Sequence, residues 1–143
     1  MMEVGRYNEA VIVDDYGHHP TEIRATLAAA RACRYARIHV LFQPHRYTRT
    51  DALMSDFARA FHQADSVHVM DIYAASEQPI EGVTAQVLTE RIRAFGHRNA
   101  HYVGSMAAGI QSIVETAAAG DAIITLGAGS VSQAGEKILE QLR

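Results

Sequence analysis

Two carboxylates, a phenol and two imidazoles stand side by side in Asp14-Asp15-Tyr16-Gly17-His18-His19, after the apolar run Val11-Ile12-Val13 and directly before Pro20. Carboxylates at a strand end can accept hydrogen bonds from ribose hydroxyls or hold Mg²⁺. Imidazoles can donate to phosphate or carboxylate oxygens, and a helix N-terminus adds a positive field. Together these groups suit a nucleotide or acyl-phosphate site. Asp15 and His18 have no structural need to be there and are expected to be functional. Asp14 can equally be a strand-end carboxylate satisfied by backbone amides, and Tyr16 a half-buried packing residue. His19, next to Pro20, can serve as a cap for the helix that follows.

A second cluster lies at Phe42-Gln43-Pro44-His45-Arg46-Tyr47-Thr48-Arg49-Thr50. If a helix begins near Tyr47, Arg46 and Arg49 face one direction and can grip a carboxylate or phosphate through paired N–H groups, which one lysine cannot do with the same orientation. Arg49 has the alternative of pairing with Asp51. A third segment, Leu126-Gly127-Ala128-Gly129-Ser130, brings backbone amides close to a ligand. It lacks the third glycine of a dinucleotide fingerprint, and its strand is the last in the chain, so it is expected to line a site.

These segments need a scaffold. Strands are expected over 10–14, 37–42, 66–70, 100–103 and 121–126, with helices over 21–34, 49–64, 84–95, 105–118 and 130–142. That alternation predicts one domain over 1–143 of α/β class: a three-layer, Rossmann-like, doubly wound, mostly parallel sheet of about five or six strands with helices on both faces. In 84–95, Val87, Leu88, Ile92 and Phe95 form one apolar stripe, while Glu90, Arg91 and Arg93 make a solvated face. Ligands of such sheets bind beyond the carboxyl ends of the strands, where all three segments fall.

Bulk properties narrow the function classes. The 143 residues are 48% hydrophobic and 20% charged, a globular balance. A net charge of -3 and a pI near 6.2 supply no general attraction to nucleic acid or anionic lipid, so neither is expected as a partner. The single cysteine, Cys33, cannot form an internal disulfide and is expected to be a small buried side chain in its alanine-rich run. No apolar run reaches the roughly 18 residues of a membrane span, and no signal-peptide pattern opens the chain. A cytoplasmic protein is expected.

Asp-Asp-Tyr-Gly-His-His-Pro-Thr-Glu-Ile at 14–23 and Phe-Gln-Pro-His-Arg-Tyr-Thr-Arg-Thr at 42–50 resemble, in order and spacing, the Mur ligases that add L-alanine to UDP-N-acetylmuramate. The segment Asp71-Ile72-Tyr73-Ala74-Ala75-Ser76-Glu77, with Pro79-Ile80 and Gly82-Val83, and the late Leu126-Gly127-Ala128-Gly129 are similar to that family too. The resemblance covers only the last of the family's three domains. No G-x-x-x-x-G-K-[ST] phosphate loop occurs, so the UDP-binding and ATPase domains are expected to be absent, Met1 to begin an excised segment, and the fragment to be inactive alone.

The resemblance implies that ATP, with Mg²⁺, phosphorylates the muramyl carboxylate, that the L-alanine amine attacks the acyl phosphate, and that phosphate leaves. ATP and Mg²⁺ would be held mainly by the missing central domain. Asp15, with Asp14 beside it, would contact the nucleotide ribose. Tyr16, His18, His45, Arg46 and Arg49 would orient L-alanine and the developing phosphate charge, His18 and Arg46 acting catalytically, with Gly127, Ala128 and Gly129 lining the substrate site. Murein-peptide ligases share much of the first motif, but Tyr16 and Gly17 favour the alanine-adding type. Two other classes compete: a phosphoesterase using Asp14, Asp15, His18 and His19 as metal ligands, which no downstream histidine completes, and a non-catalytic nucleotide-binding module. No resident metal is expected.

Overall fold

A computed structural model describes residues 2–7 and 10–142. Its strands are β1 (Met2–Tyr7), β2 (Ala10–Asp15), β3 (Ile38–Phe42), β4 (Ser66–Met70), β5 (Ala100–Gly104) and β6 (Ala122–Leu126). Its helices are α1 (Pro20–Ala32), α2 (Tyr47–Ala52), α3 (Met54–Ala58), α4 (Ala85–Ala94), α5 (Met106–Thr116) and α6 (Ala134–Leu142), with a 3₁₀ turn at Ser130–Gln133. The strands form one sheet in the order β1-β2-β6-β3-β4-β5. All are parallel except β1, which runs antiparallel along β2. The expected α/β architecture is therefore observed, with an edge strand that the apolar pattern did not reveal.

Strands β3, β4 and β6 are buried along their whole length, as strands covered on both faces must be. Alternate residues feed two cores. Val11, Val13, Val40, Phe42, Val67, Val69 and Ile124 pack under α1, α3 and α4. Ile12, Leu41 and Ile123 face α5 and α6. Register pairs Asp15 with Leu126, Leu126 with Phe42, and Phe42 with Val69, so four neighbouring strands finish level and their loops share one rim.

Several expectations need correction. The helix expected over 49–64 begins at Tyr47, breaks at Leu53 (φ -115°, ψ 18°) and ends at Ala58. Beyond it, tight turns such as Ala60 N–H to Phe57 O keep Phe57 and Phe61 in the core. The last helix starts as a 3₁₀ turn. Cys33 is exposed because it caps the C-terminal end of α1, past the buried stripe Ile23, Leu27 and Ala30. Phe95 also leaves its stripe: it is 37% exposed, with the Arg59 guanidinium 4.5 Å over its ring. Arg93 is more than a solvated charge, since its Nε donates to Ala100 O at 2.7 Å.

At the amino ends of the strands, a buried polar chain crosses the sheet on the α5 side. His39 Nε2 meets Asp121 Oδ2 at 2.8 Å and His39 Nδ1 meets Ser66 Oγ at 2.7 Å. Ser66 Oγ lies 3.0 Å from His68 Nε2, and His68 Nδ1 lies 2.7 Å from Ser112 Oγ. With both rings neutral and Asp121 ionised, one assignment satisfies every contact: Ser112 donates to His68, His68 to Ser66, Ser66 to His39, and His39 to Asp121. Burial, followed by the nearby His101 and His39, lowers the His68 pKa to about 4.

The ring is therefore neutral when folded but protonates near 6.5 once unfolded. Its stabilising contribution is complete above pH 6.5, declines below it and is lost as pH falls through about 4. Unfolding free energy measured by urea titration is expected to drop by on the order of 3 kcal/mol over that window. His101, also lowered, acts in the same direction. His68→Asn should flatten most of this dependence, and an unchanged slope in that variant would rule out the assignment.

Candidate functional site

The loop after β2 is organised by its own polar side chains. Asp15 Oδ1 accepts from Gly17 N–H and Oδ2 from Thr26 Oγ–H, each at 2.7 Å, so this carboxylate folds the loop onto α1. Two of its acceptor sites are thus occupied, and a ribose hydroxyl would share what remains. Asp14 accepts from Thr125 Oγ–H at 2.7 Å, a side-chain partner rather than the backbone amides considered from sequence. Burial raises the Asp14 pKa, with Asp15 adding to the effect and the Thr125 hydrogen bond opposing it.

His19 is the N-cap of α1: its Nδ1 accepts from Thr21 N–H at 3.2 Å, while Glu22 accepts from the His19 N–H at 3.1 Å, with Pro20 in the first turn. Of its two possible roles, the cap is observed. Tyr16 is 66% exposed, so it is not a packing residue.

His18 Nδ1 lies 3.1 Å from Tyr16 O. A carbonyl only accepts, so Nδ1 carries the proton, and whenever the ring is neutral its Nε2 is an acceptor or base. Its ring centroid is 6.0 Å from that of His45, in the loop after β3. His45 has the opposite character. Arg49 Nη1 lies 3.4 Å from His45 Nδ1, and because a guanidinium only donates, Nδ1 accepts and Nε2–H is left as a donor. Burial first, then Arg49, Arg46 and His18, lower the His45 pKa, with Glu77 opposing them. Arg49 thus turns to His45, and not to Asp51.

Arg46 is exposed and has φ 71° and ψ 141°, a backbone region otherwise left to glycine. Its N–H donates to Tyr73 O at 2.7 Å, and its carbonyl accepts from Thr50 N–H at 3.2 Å and Thr50 Oγ–H at 2.8 Å. Strain of this kind costs about 1–3 kcal/mol and persists only where neighbours enforce it. α2 does begin at Tyr47, and its first turn is capped from a distance: Glu77 accepts from Thr48 N–H at 3.1 Å and Thr48 Oγ–H at 2.6 Å.

Gly127 and Gly129 fit the glycine loop for steric reasons. Gly127 has φ 146°, and a Cβ there would sit 2.8 Å from Gln43 O. A Cβ on Gly129 would sit 2.7 Å from Gln43 Oε1 and 2.8 Å from Tyr73 Cγ. Ala128 is half-buried between them. Gln43 accepts from Val131 N–H at 2.9 Å and donates to Ser130 Oγ at 3.0 Å, pinning this loop to the loop after β3.

Sequence reasoning missed Gln43, Tyr73 and Glu77 as parts of the site. Their only sequence signal was membership of the matched motifs. Among the described residues, no group of three or more His, Cys, Asp or Glu is placed to hold a metal ion, and Asp14, Asp15, His18 and His19 have the separate partners given above.

The profile of the Mur ligase, glutamate ligase domain matches residues 1–129. The chain belongs to the Mur ligase C-terminal domain family. The Solibacter usitatus UDP-N-acetylmuramate--L-alanine ligase is 66% identical over 139 residues, covering 97% of this chain. The Mur ligase domain described here spans only 29% of that relative's length. Among solved structures, UDP-N-acetylmuramate-alanine ligase from Thermotoga maritima superposes with a TM-score of 0.74 at 26% identity, over 92% of this chain and 26% of the other. A crystallised Haemophilus ducreyi domain, named for a UDP-N-acetylmuramate:L-alanyl-gamma-D-glutamyl-diaminopimelate ligase, superposes with a TM-score of 0.73 at 25% identity, over 99% of this chain and 98% of the other. That Mur ligase domain is a crystallised chain of nearly the same extent.

Proposed function

We propose that this Mur ligase domain is the amino-acid-adding part of an ATP-dependent UDP-N-acetylmuramate:L-alanine ligase of bacterial peptidoglycan synthesis, acting in the cytoplasm with the other two domains of that enzyme. The observation that carries the reading is the cluster of His18, His45, Arg46 and Arg49, in which Nε2 of each imidazole is left to a ligand and two guanidiniums stand beside them. Bound ATP supplies the phosphoryl group that makes the muramyl carboxylate an acyl phosphate.

In this domain, Arg46 and Arg49 hold the L-alanine carboxylate and face developing phosphate charge, and His45 Nε2–H donates to an oxygen of the same ligand. His18 Nε2 takes a proton from the L-alanine ammonium. The freed amine then attacks the acyl carbon, its second N–H proton passes to the phosphate oxygen, and phosphate departs with the electrons of the broken C–O bond as the amide forms. Asp15 and Asp14 face the nucleotide edge. The Mg²⁺ that accompanies ATP would be held mainly by the central domain. Identity of 66% over 97% of this chain to an alanine-adding ligase supports L-alanine as the acceptor.

Phosphate release that depends on L-alanine tests the reading. It is expected from this chain joined to the N-terminal and central domains of the Solibacter usitatus relative, and not from the chain alone. A folded fusion that releases no phosphate, or that prefers a peptide to L-alanine, would overturn it.

A further inference from the structure

We propose that Tyr73 is a positioning residue, which sets the plane of the His45 imidazole and holds the backbone of Arg46 in its strained conformation. The kinetic consequence rests on the ligase reading; the geometric one does not.

Tyr73 lies in the loop after β4, away in sequence from both site motifs. Its backbone is laced to the loop after β3 on both sides: its N–H donates to Pro44 O at 2.8 Å and its carbonyl accepts from Arg46 N–H at 2.7 Å, making a parallel bridge with His45. Its ring stacks on the His45 ring, with centroids 5.5 Å apart and planes 12° from parallel. The same ring approaches Gly129 so closely that no Cβ fits there. One side chain therefore touches two of the loops that carry the site.

The stack completes the constraints on His45. Its Nδ1 is tied to Arg49 at 3.4 Å, which fixes one point of the ring and leaves it able to tilt about that contact unless one face is covered. Tyr73 covers that face, while His18 meets the ring at 57° from another direction. Nε2–H is then aimed by the stack together with the contact at Nδ1, and it stays available to a ligand. The backbone half of the device serves Arg46. A residue with φ 71° relaxes unless its N–H is claimed in that conformation, and Tyr73 O claims it. The phenol hydroxyl has no part in either function.

Tyr73→Phe and Tyr73→Leu, each compared with the unaltered fusion enzyme, separate positioning from mere structure. Phenylalanine retains the stacked ring, so kcat and both KM values should stay within about twofold of the parent. Leucine loses it and should raise the KM for L-alanine about 10-fold, with the KM for ATP and the melting temperature little changed. Equal losses in the two variants, or a KM for ATP that rises in step, would overturn the proposal.

A second measurement needs no activity. In the chain alone, the ring resonances of His45 followed by NMR should lose their ring-current shift in Tyr73→Leu, and their titration midpoint should rise towards that of ordinary histidine, while Arg46, Arg49, His18 and Glu77 remain as its charged neighbours. Tyr73→Phe should preserve both. Unchanged His45 resonances in Tyr73→Leu would refute the proposal even if the unaltered fusion proved inactive, an outcome that would separately dispose of the ligase reading.

Discussion

Arg46→Ala, introduced into the three-domain fusion, is expected to slow L-alanine-dependent phosphate release by about 10²- to 10³-fold, the usual cost of deleting one pre-aimed donor for transition-state charge. Two features of the structure set that size. The residue occupies a backbone conformation costly for any side chain but glycine's, and Tyr73 O and Thr50 hold it there, so the direction of its Cα–Cβ bond is decided before substrate arrives. A guanidinium also offers two parallel N–H groups to a carboxylate or phosphate, which an ammonium cannot.

Arg46→Lys should therefore recover only a minor part of the rate, and Arg46→Gly should leave stability equal to or above that of the parent, because glycine relieves the strain. Thermal melts beside the rate assay check both. A rate within threefold of the parent for Arg46→Ala would show that Arg46 contacts neither substrate nor leaving phosphate.

The largest loss of stability is expected at the other end of the sheet. Asp121 Oδ2 accepts from His39 Nε2–H at 2.8 Å and from Ala118 N–H at 2.9 Å, and Arg37 Nη2 lies 3.1 Å from it. Burial pushes this carboxyl up, but the hydrogen bonds from His39 and Ala118 and the attraction of His39 and Arg37 outweigh it and hold the pKa below the ordinary value. Asp121→Ala removes the acceptor at which the buried chain ends and leaves the His39 N–H without a partner.

Leaving a buried donor without its acceptor costs about 1–3 kcal/mol, a large share of a small domain's stability. Urea titration at neutral pH measures it. Asp121→Asn, which keeps an acceptor oxygen, should lose clearly less. A loss below about 1 kcal/mol for Asp121→Ala would mean that the chain is solvated and that Asp121 does not anchor it. Because Asp121, His39 and Ser66 lie at the amino ends of β6, β3 and β4, this variant should spare the rim at their carboxyl ends that carries His18 and Arg46.

Much of the scaffold was legible because parallel strands advertise themselves. The β-branched runs at 66–70 and 122–126 are buried on both faces, and no other local structure suits them. The amphipathic spacing of 84–95 and 105–118 likewise located α4 and α5. β1 escaped notice because its partner, β2, is what makes it a strand. It carries Gly5 at a register irregularity, where a Cβ would collide with Leu139 of α6. The start of α2 was legible only approximately, since its cap, Glu77, comes from a loop 29 residues away in sequence.

The site divides in the same manner. By residue type and spacing alone, the sequence determined which chemical groups cluster at the carboxyl ends of β2, β3 and β6, and it located His18, His45, Arg46, Arg49 and the glycine loop. Which nitrogen of each imidazole is free, that His19 caps a helix, and that Asp15 folds its own loop were decided only by tertiary structure. So were the roles of Gln43 and Tyr73 in binding the loops together. Hydrogen-bond direction and ring stacking depend on partners that arrive from distant segments, and a one-dimensional pattern carries no record of which segments meet.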